Sequence, residues 1–136
     1  MKCIRNKVNG MSIKRNSVIA VTVDEYNLPI ELIEKLKLVT FDYSLIVSGD
    51  SMYPTIQDGQ KISIHPKKTS EAIEIGDIVV YHKFNTHLTV HRVIRIEKRD
   101  QIIFKTKGDY NDHEDNYYVM ENEILGIVYR IGDLTL

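Results

Sequence analysis

From residue 43 onward the chain is a succession of short β-prone runs, each stopped by glycine, proline, aspartate or asparagine before it can lengthen. Ser44–Val47 ends at Gly49-Asp50, and Lys61–His65 alternates Ile62 and Ile64 with Lys61, Ser63 and His65 until Pro66 stops it. Ile78–Tyr81 is a continuous apolar run after Gly76-Asp77, the pattern of a strand buried on both faces. Leu88–Ile96 alternates, with Thr89, His91, Val93 and Arg95 on one face. Gln101–Lys107, Tyr117–Met120 and Ile124–Ile131 are further strand candidates, and Ser17–Val23 is one near the start. Helical periodicity is confined to Asn27–Leu38. There Asn27 can cap, Pro29 suits the first turn, and Leu28, Leu32, Ile33 and Leu36 share one face opposite Glu31, Glu34, Lys35 and Lys37. Many short strands and one helix predict a mainly β fold: a coiled, partly open β-barrel of short antiparallel strands with a small N-terminal helix.

At 136 residues the chain can bury a core without metal or disulfide staples. Eighteen basic against nineteen acidic residues leave a net charge of −1, so the basic surplus that nucleic-acid binding needs is missing. The single cysteine, Cys3, cannot form an internal disulfide or a cysteine zinc site. The longest stretches free of Asp, Glu, Lys and Arg are eight residues, Asn16–Val23 and Phe84–His91. A bilayer-spanning helix needs about 20 largely apolar residues, so none is expected, and Met1–Val23 lacks the apolar core of a signal peptide.

Three segments can carry chemistry. Ser48-Gly49-Asp50-Ser51-Met52-Tyr53-Pro54-Thr55-Ile56 places a serine where a strand ends in a rigid turn. Such a turn can lift Ser51 clear of the sheet and aim backbone N–H groups in front of it, although a plain β-turn has the same composition. A serine needs a base, and His91 lies inside a strand-like run that would hold it rigidly. His82, His87 and His91 form His-x4-His-x3-His, but no patterned carboxylate or cysteine accompanies them, so neither a metal nor another cofactor is expected. The third segment, Thr106–Asp115, is an acidic turn in which Asp109 and Asp115 are six apart. One carboxylate can face a histidine while the other braces the loop.

In this order the segments resemble type I signal peptidases. Gly49-Asp50-Ser51-Met52-Tyr53-Pro54-Thr55 is similar to the box of the nucleophilic serine, and Gly76–Tyr81 to the second strand box. Val90-His91-Arg92-Val93-Ile94 is similar to the base box, Lys107–Asp115 to the acidic box and Ile124–Val128 to the closing strand. Histidine at position 91 points to the archaeal, endoplasmic-reticulum and sporulation-type branch, which pairs serine with histidine. The resemblance implies Ser51 as nucleophile, His91 as general base, Asp115 as third member and Asp109 in support, with the Ser51 backbone N–H as oxyanion donor. It implies an extended peptide or preprotein substrate cut after small residues. Ser44–Val47 and Ile78–Tyr81 are the expected walls, with Ile46, Val47, Met52, Val79 and Tyr81 lining the substrate. Residues 1–40 would be an N-terminal segment whose helix packs on the core, and 41–136 the peptidase β domain.

Members of that family are anchored in membranes and work on the extracytoplasmic face. A missing anchor, a membrane partner or a cytoplasmic protein complete as it stands would each account for this sequence. The alternatives are a self-cleaving regulator of the SOS-repressor type and a catalytically silent peptide-binding module of the same fold. The former uses lysine as base and cuts at Ala-Gly or Cys-Gly, and neither dipeptide precedes Ser51.

Overall fold

The computed structural model describes residues 13–22, 30–67, 72–83 and 87–136. Cys3, Val23, Asn27, Leu28, Pro29 and Phe84 lie outside the described residues, as does the side chain of His87. Among the described residues nine strands form one sheet: β1 (Val18–Thr22), β2 (Tyr43–Ser48), β3 (Lys61–Pro66), β4 (Ile78–Lys83), β5 (His87–Lys98), β6 (Ile102–Lys107), β7 (Tyr118–Met120), β8 (Ile124–Ile131) and β9 (Leu134–Thr135). The helix, α1, spans Ile30–Leu38, and a 3-10 turn at Glu121–Glu123 joins β7 to β8. The strand order is β1-β2-β3-β8-β4-β5-β6-β7, with β9 paired to β8. The sheet does not close on itself, and the described residues are mainly β with one α-helix, in keeping with the turn-punctuated sequence.

The sheet is mixed rather than purely antiparallel. β1 runs parallel to β2, with Val18 opposite Ser44 and Thr22 opposite Ser48. Parallel neighbours need a crossover, and α1 lies within the connection between them. The helix presents Leu32, Ile33 and Leu36 inward, each about 1% exposed, and leaves Glu31, Lys35 and Lys37 on its outer side or edge.

The apolar run in β4 has a specific cause: it separates two cores. Ile78 and Val80 join a large cluster with Leu36, Leu45, Val47, Met52, Ile62, Leu88 and Val90. Val79 and Tyr81 face the other way, into a cluster with Val93, Phe104, Val119 and Ile124. Both faces are therefore dry, and the period-2 alternation of a one-sided strand disappears. β5 is long enough to serve two partners. Its first half pairs with β4, placing His91 opposite Val79, and its second half pairs with β6. An irregularity between Val93 and Arg95 re-aims the strand just past His91, a common use of a bulge beside a site.

Leu36 joins the helix to the larger core, so Leu36→Ala should cost about 2–5 kcal/mol by lost burial and residual cavity. Urea unfolding followed by far-UV circular dichroism measures it; a change below about 1 kcal/mol would mean that α1 does not pack as described.

Candidate active site

Three segments meet at the face of β4 and β5 that carries Val79 and Tyr81. Antiparallel partners share a face, so the pairing of Val79 with His91 places the imidazole on that side. Thr106 is opposite Val93, which lies two residues beyond His91, and so joins the same face from β6. Ser51 arrives from the turn after β2. There Gly49 takes φ +118°, a left-handed conformation that favours glycine, and its N–H donates to Asp58 Oδ1 at 2.9 Å. The Tyr53 and Ile56 N–H groups donate to Asp50 and Met52 carbonyls, which fixes the turn. None of these bonds uses the Ser51 N–H.

The result is a continuous hydrogen-bonded line. Ser51 Oγ lies 3.1 Å from His91 Nε2, and His91 Nδ1 lies 2.8 Å from Asp115 Oδ2. Ser51 and His91 are 6% and 5% exposed, so the pair is largely withdrawn from water. With Nδ1–H donating to the carboxylate, Nε2 is left as the acceptor facing the serine. Burial by itself would raise the Asp115 carboxyl pKa. The imidazole, the Thr106 hydroxyl at 2.6 Å and the Tyr81 hydroxyl at 3.2 Å outweigh it and hold the group below the ordinary carboxylate value. Asp115 is thus an anion fixed behind a histidine that faces a serine. That arrangement can move a proton from a hydroxyl to a leaving group.

Asp109 goes elsewhere. Arg92 grips it with two bonds, Nε to Oδ1 at 2.9 Å and Nη2 to Oδ2 at 2.8 Å, and Thr55 Oγ1 donates to Oδ2 at 2.6 Å. It therefore ties the acidic loop to β5 and to the serine turn, and does not contact His91. Burial would raise its pKa, but the guanidinium and the hydroxyl carry it below the ordinary value. The loop also closes on the serine through its backbone. Tyr110 N donates to the Ser51 carbonyl at 2.9 Å, and the Asp109 N–H contacts Met52 Sδ at 3.3 Å. Gly108 lies flush against the pair: a Cβ there would stand 2.5 Å from the Ser51 carbonyl oxygen and 3.0 Å from His91 Nε2.

The expected substrate walls need correction. Val47, Met52, Val79 and Tyr81 are all fully buried and present no surface to a substrate; Ile46 alone of the five is partly exposed. Ile78–Tyr81 is flanked on both sides, by β5 and by β8, and cannot accept another strand. The edge of β2 away from β3 is held by β1 of the same chain, which also touches β5. The expectation failed because apolar strand residues look alike whether they line a cleft or fill a core. Four contributors escaped sequence reading: Arg92, Thr55, Thr106 and Gly108. Arg92 follows the histidine directly and Gly108 precedes Asp109, so proximity to a site residue was the one signal available.

Among the described residues no group of three or more His, Cys, Asp or Glu is arranged to hold a metal ion. No described helix is long and apolar enough to cross a membrane. Comparison with known proteins then identifies the relatives of this arrangement. The sequence pattern of the Peptidase S24-like family matches residues 14–129, which include the serine turn, β5 and the acidic loop. The chain belongs to the Peptidase S24-like family. It is also similar to Signal peptidase I W of Bacillus subtilis (strain 168), 30% identical over 87 residues. That stretch covers 62% of this chain and 45% of the relative, so the chain matches less than half of that protein's length.

Two outcomes follow for this peptidase-family site. Gly108→Ala must push back the Ser51 carbonyl or the imidazole, and should lower kcat/KM for peptide cleavage at least about a hundredfold, as misplacement of reacting groups by about 1 Å does. Wild-type kinetics in that variant would mean that the loop does not abut the pair. The second concerns acid stability. A carboxyl whose folded pKa is depressed stabilises the fold fully above its ordinary value, near 3.8, and this is lost as pH falls below that. Asp109→Asn should therefore flatten the loss of stability between about pH 4 and pH 2 in denaturant titrations, relative to the native chain. An unchanged slope would contradict the Arg92–Asp109 pairing.

Proposed function

We propose that this chain is a serine endopeptidase that cleaves extended polypeptide segments after small residues, in the manner of a signal peptidase. The observation that carries this reading is the line from Ser51 Oγ through the His91 ring to Asp115, at 3.1 and 2.8 Å, in a chain of a peptidase family. Similarity to Signal peptidase I W supports the choice of substrate class.

In this mechanism His91 Nε2 removes the Ser51 hydroxyl proton as Oγ attacks the scissile carbonyl carbon. Charge developing on the carbonyl oxygen faces the Ser51 backbone N–H, which takes part in none of the turn's own bonds. The imidazolium is stabilised by Asp115 and returns the proton to the departing amine, leaving an acyl group on Ser51. Water, deprotonated by the same nitrogen, then releases the acid. Asp109 works at a distance by keeping loop and serine turn together through Arg92 and Thr55. A membrane-bound precursor is the natural substrate class, reached through an anchor or a membrane partner.

One observation favours a second reading, cleavage of its own chain. β1 runs parallel to β2 along the strand that leads to Ser51, where an extended substrate would pair. The chain would then be its own substrate. Intact-mass measurement over time separates the two: self-cleavage yields fragments from the native chain and none from Ser51→Ala.

The main test is incubation with a membrane-protein precursor bearing an Ala-x-Ala site, with and without lipid. Ser51→Ala and His91→Ala should each lower cleavage by about 10³-fold or more with folding retained. Full activity in either would remove that residue from the mechanism. Cleavage by the native chain should also fall on the acid side as His91 takes up a proton, because an imidazolium cannot accept another. A rate that does not fall on acidification would point to a different base.

A further inference from the structure

Behind the histidine lies a pair of tyrosines that the mechanism above does not use. Tyr81 is fully buried, yet its hydroxyl sits at a junction: 3.2 Å from Asp115 Oδ2, 2.8 Å from the Tyr117 hydroxyl, 3.4 Å from Thr106 Oγ1 and 3.5 Å from His91 Nδ1. Its ring meets the His91 ring and the Tyr117 ring edge-on, each at 6.3 Å between centroids. Burial pushes the Tyr81 pKa up, with its neighbours Tyr117 and Asp115 adding to the effect, so the hydroxyl stays protonated and available as a donor.

The chemistry of Asp115 Oδ2 makes this position consequential. One carboxylate oxygen meets three hydrogen donors: the imidazole N–H, the Thr106 hydroxyl and the Tyr81 hydroxyl. An acceptor shared three ways offers each donor less charge than one shared two ways. Tyr81 therefore competes with His91 for the same oxygen and also prevents that oxygen from turning away. Tyr117 can in turn set which way the Tyr81 hydroxyl points, because each can donate to the other.

We propose that Tyr81, oriented by Tyr117, is a positioning residue that fixes the Asp115 carboxylate and moderates its hold on His91. The inference rests on the peptidase reading above, and it replaces the substrate-lining role expected of Tyr81. The groups facing the imidazole are Ser51 from the turn, Tyr81 from β4, Thr106 from β6 and Asp115 from the acidic loop. The charge of Asp109 is taken up by Arg92, and Glu123, whose charge reaches Tyr117, is paired with Lys83 at 2.9 Å.

The test removes the hydroxyls and keeps the rings. The His91 titration is read without substrate, from imidazole ¹⁵N shifts assigned with His91→Gln. In Tyr81→Phe the carboxylate loses a competing donor and holds the imidazolium more strongly, so the midpoint should rise by roughly half to one pH unit. On an Ala-x-Ala peptide the acid limb of kcat/KM should move up with it, and kcat should fall about tenfold with KM changed less than about twofold. Tyr117→Phe should shift both in the same direction by less, and the double variant should match Tyr81→Phe alone, since Tyr117 acts through Tyr81. An unmoved midpoint and acid limb in Tyr81→Phe, with Ser51→Ala and His91→Gln inactive, would overturn the positioning role and leave the peptidase reading intact. Activity surviving in Ser51→Ala and His91→Gln would overturn that reading itself.

Discussion

Strand β4 sits between two dry cores, and the rest of the molecule is arranged around that. Its residues alternate between them, Ile78 and Val80 to one and Val79 and Tyr81 to the other. Hydrophobic burial on both faces fixes its register against β5, because a one-residue slip would exchange every side chain between the cores. That register places His91 opposite Val79. A histidine on a rigid central strand is the fixed point to which Ser51 comes from one turn and Asp115 from another.

The two loops are held to this frame by different forces. The serine turn is held by its own hydrogen bonds and by Met52, which is fully buried in the larger core. The acidic loop is held by charge. Arg92 points to Asp109 while its neighbour His91 points to Asp115, so adjacent residues of one strand grip two carboxylates on opposite faces. Thr55 links Asp109 back to the serine turn, and the backbones of Tyr110 and Asp115 close on Ser51 and Thr106. The exposed rings of Tyr53 and Tyr110 meet edge-on at 5.7 Å beside this junction. Five anchors on a short loop explain why one extra carbon at Gly108 has no room.

Much of this was legible in the sequence, for a physical reason. Turn-forming residues and β-prone runs are local signals, and every strand from Tyr43 to Ile131 lies within a residue or two of its expected span, or extends it, as β5 does. The Ser51, His91 and Asp115 positions were legible because their motifs occur in a recognisable order. What the sequence withheld was pairing at a distance. Nothing in Ser17–Val23 says that β1 lies parallel to β2, and β9 had no signal beyond a glycine turn. Val79 and Tyr81 were expected at a cleft wall because an apolar run does not reveal which of its neighbours is solvent. The resemblance ranks Asp115 ahead of Asp109, but nothing in the sequence shows that Arg92 is what holds Asp109 away from the histidine.

Strand β1 holds the edge of β2 that leads to the serine. Under the proposed function, an extended substrate would displace it, extend it or be it. All three depend on Ser51 being the atom that attacks. A peptidyl boronate ending in Ala-x-Ala, followed by ¹¹B resonance and peptide mapping, tests that most directly. The account predicts a tetrahedral boron adduct on Ser51 Oγ, formed by the native chain and absent in Ser51→Ala. An adduct that persists in Ser51→Ala, or maps to another residue, would contradict it.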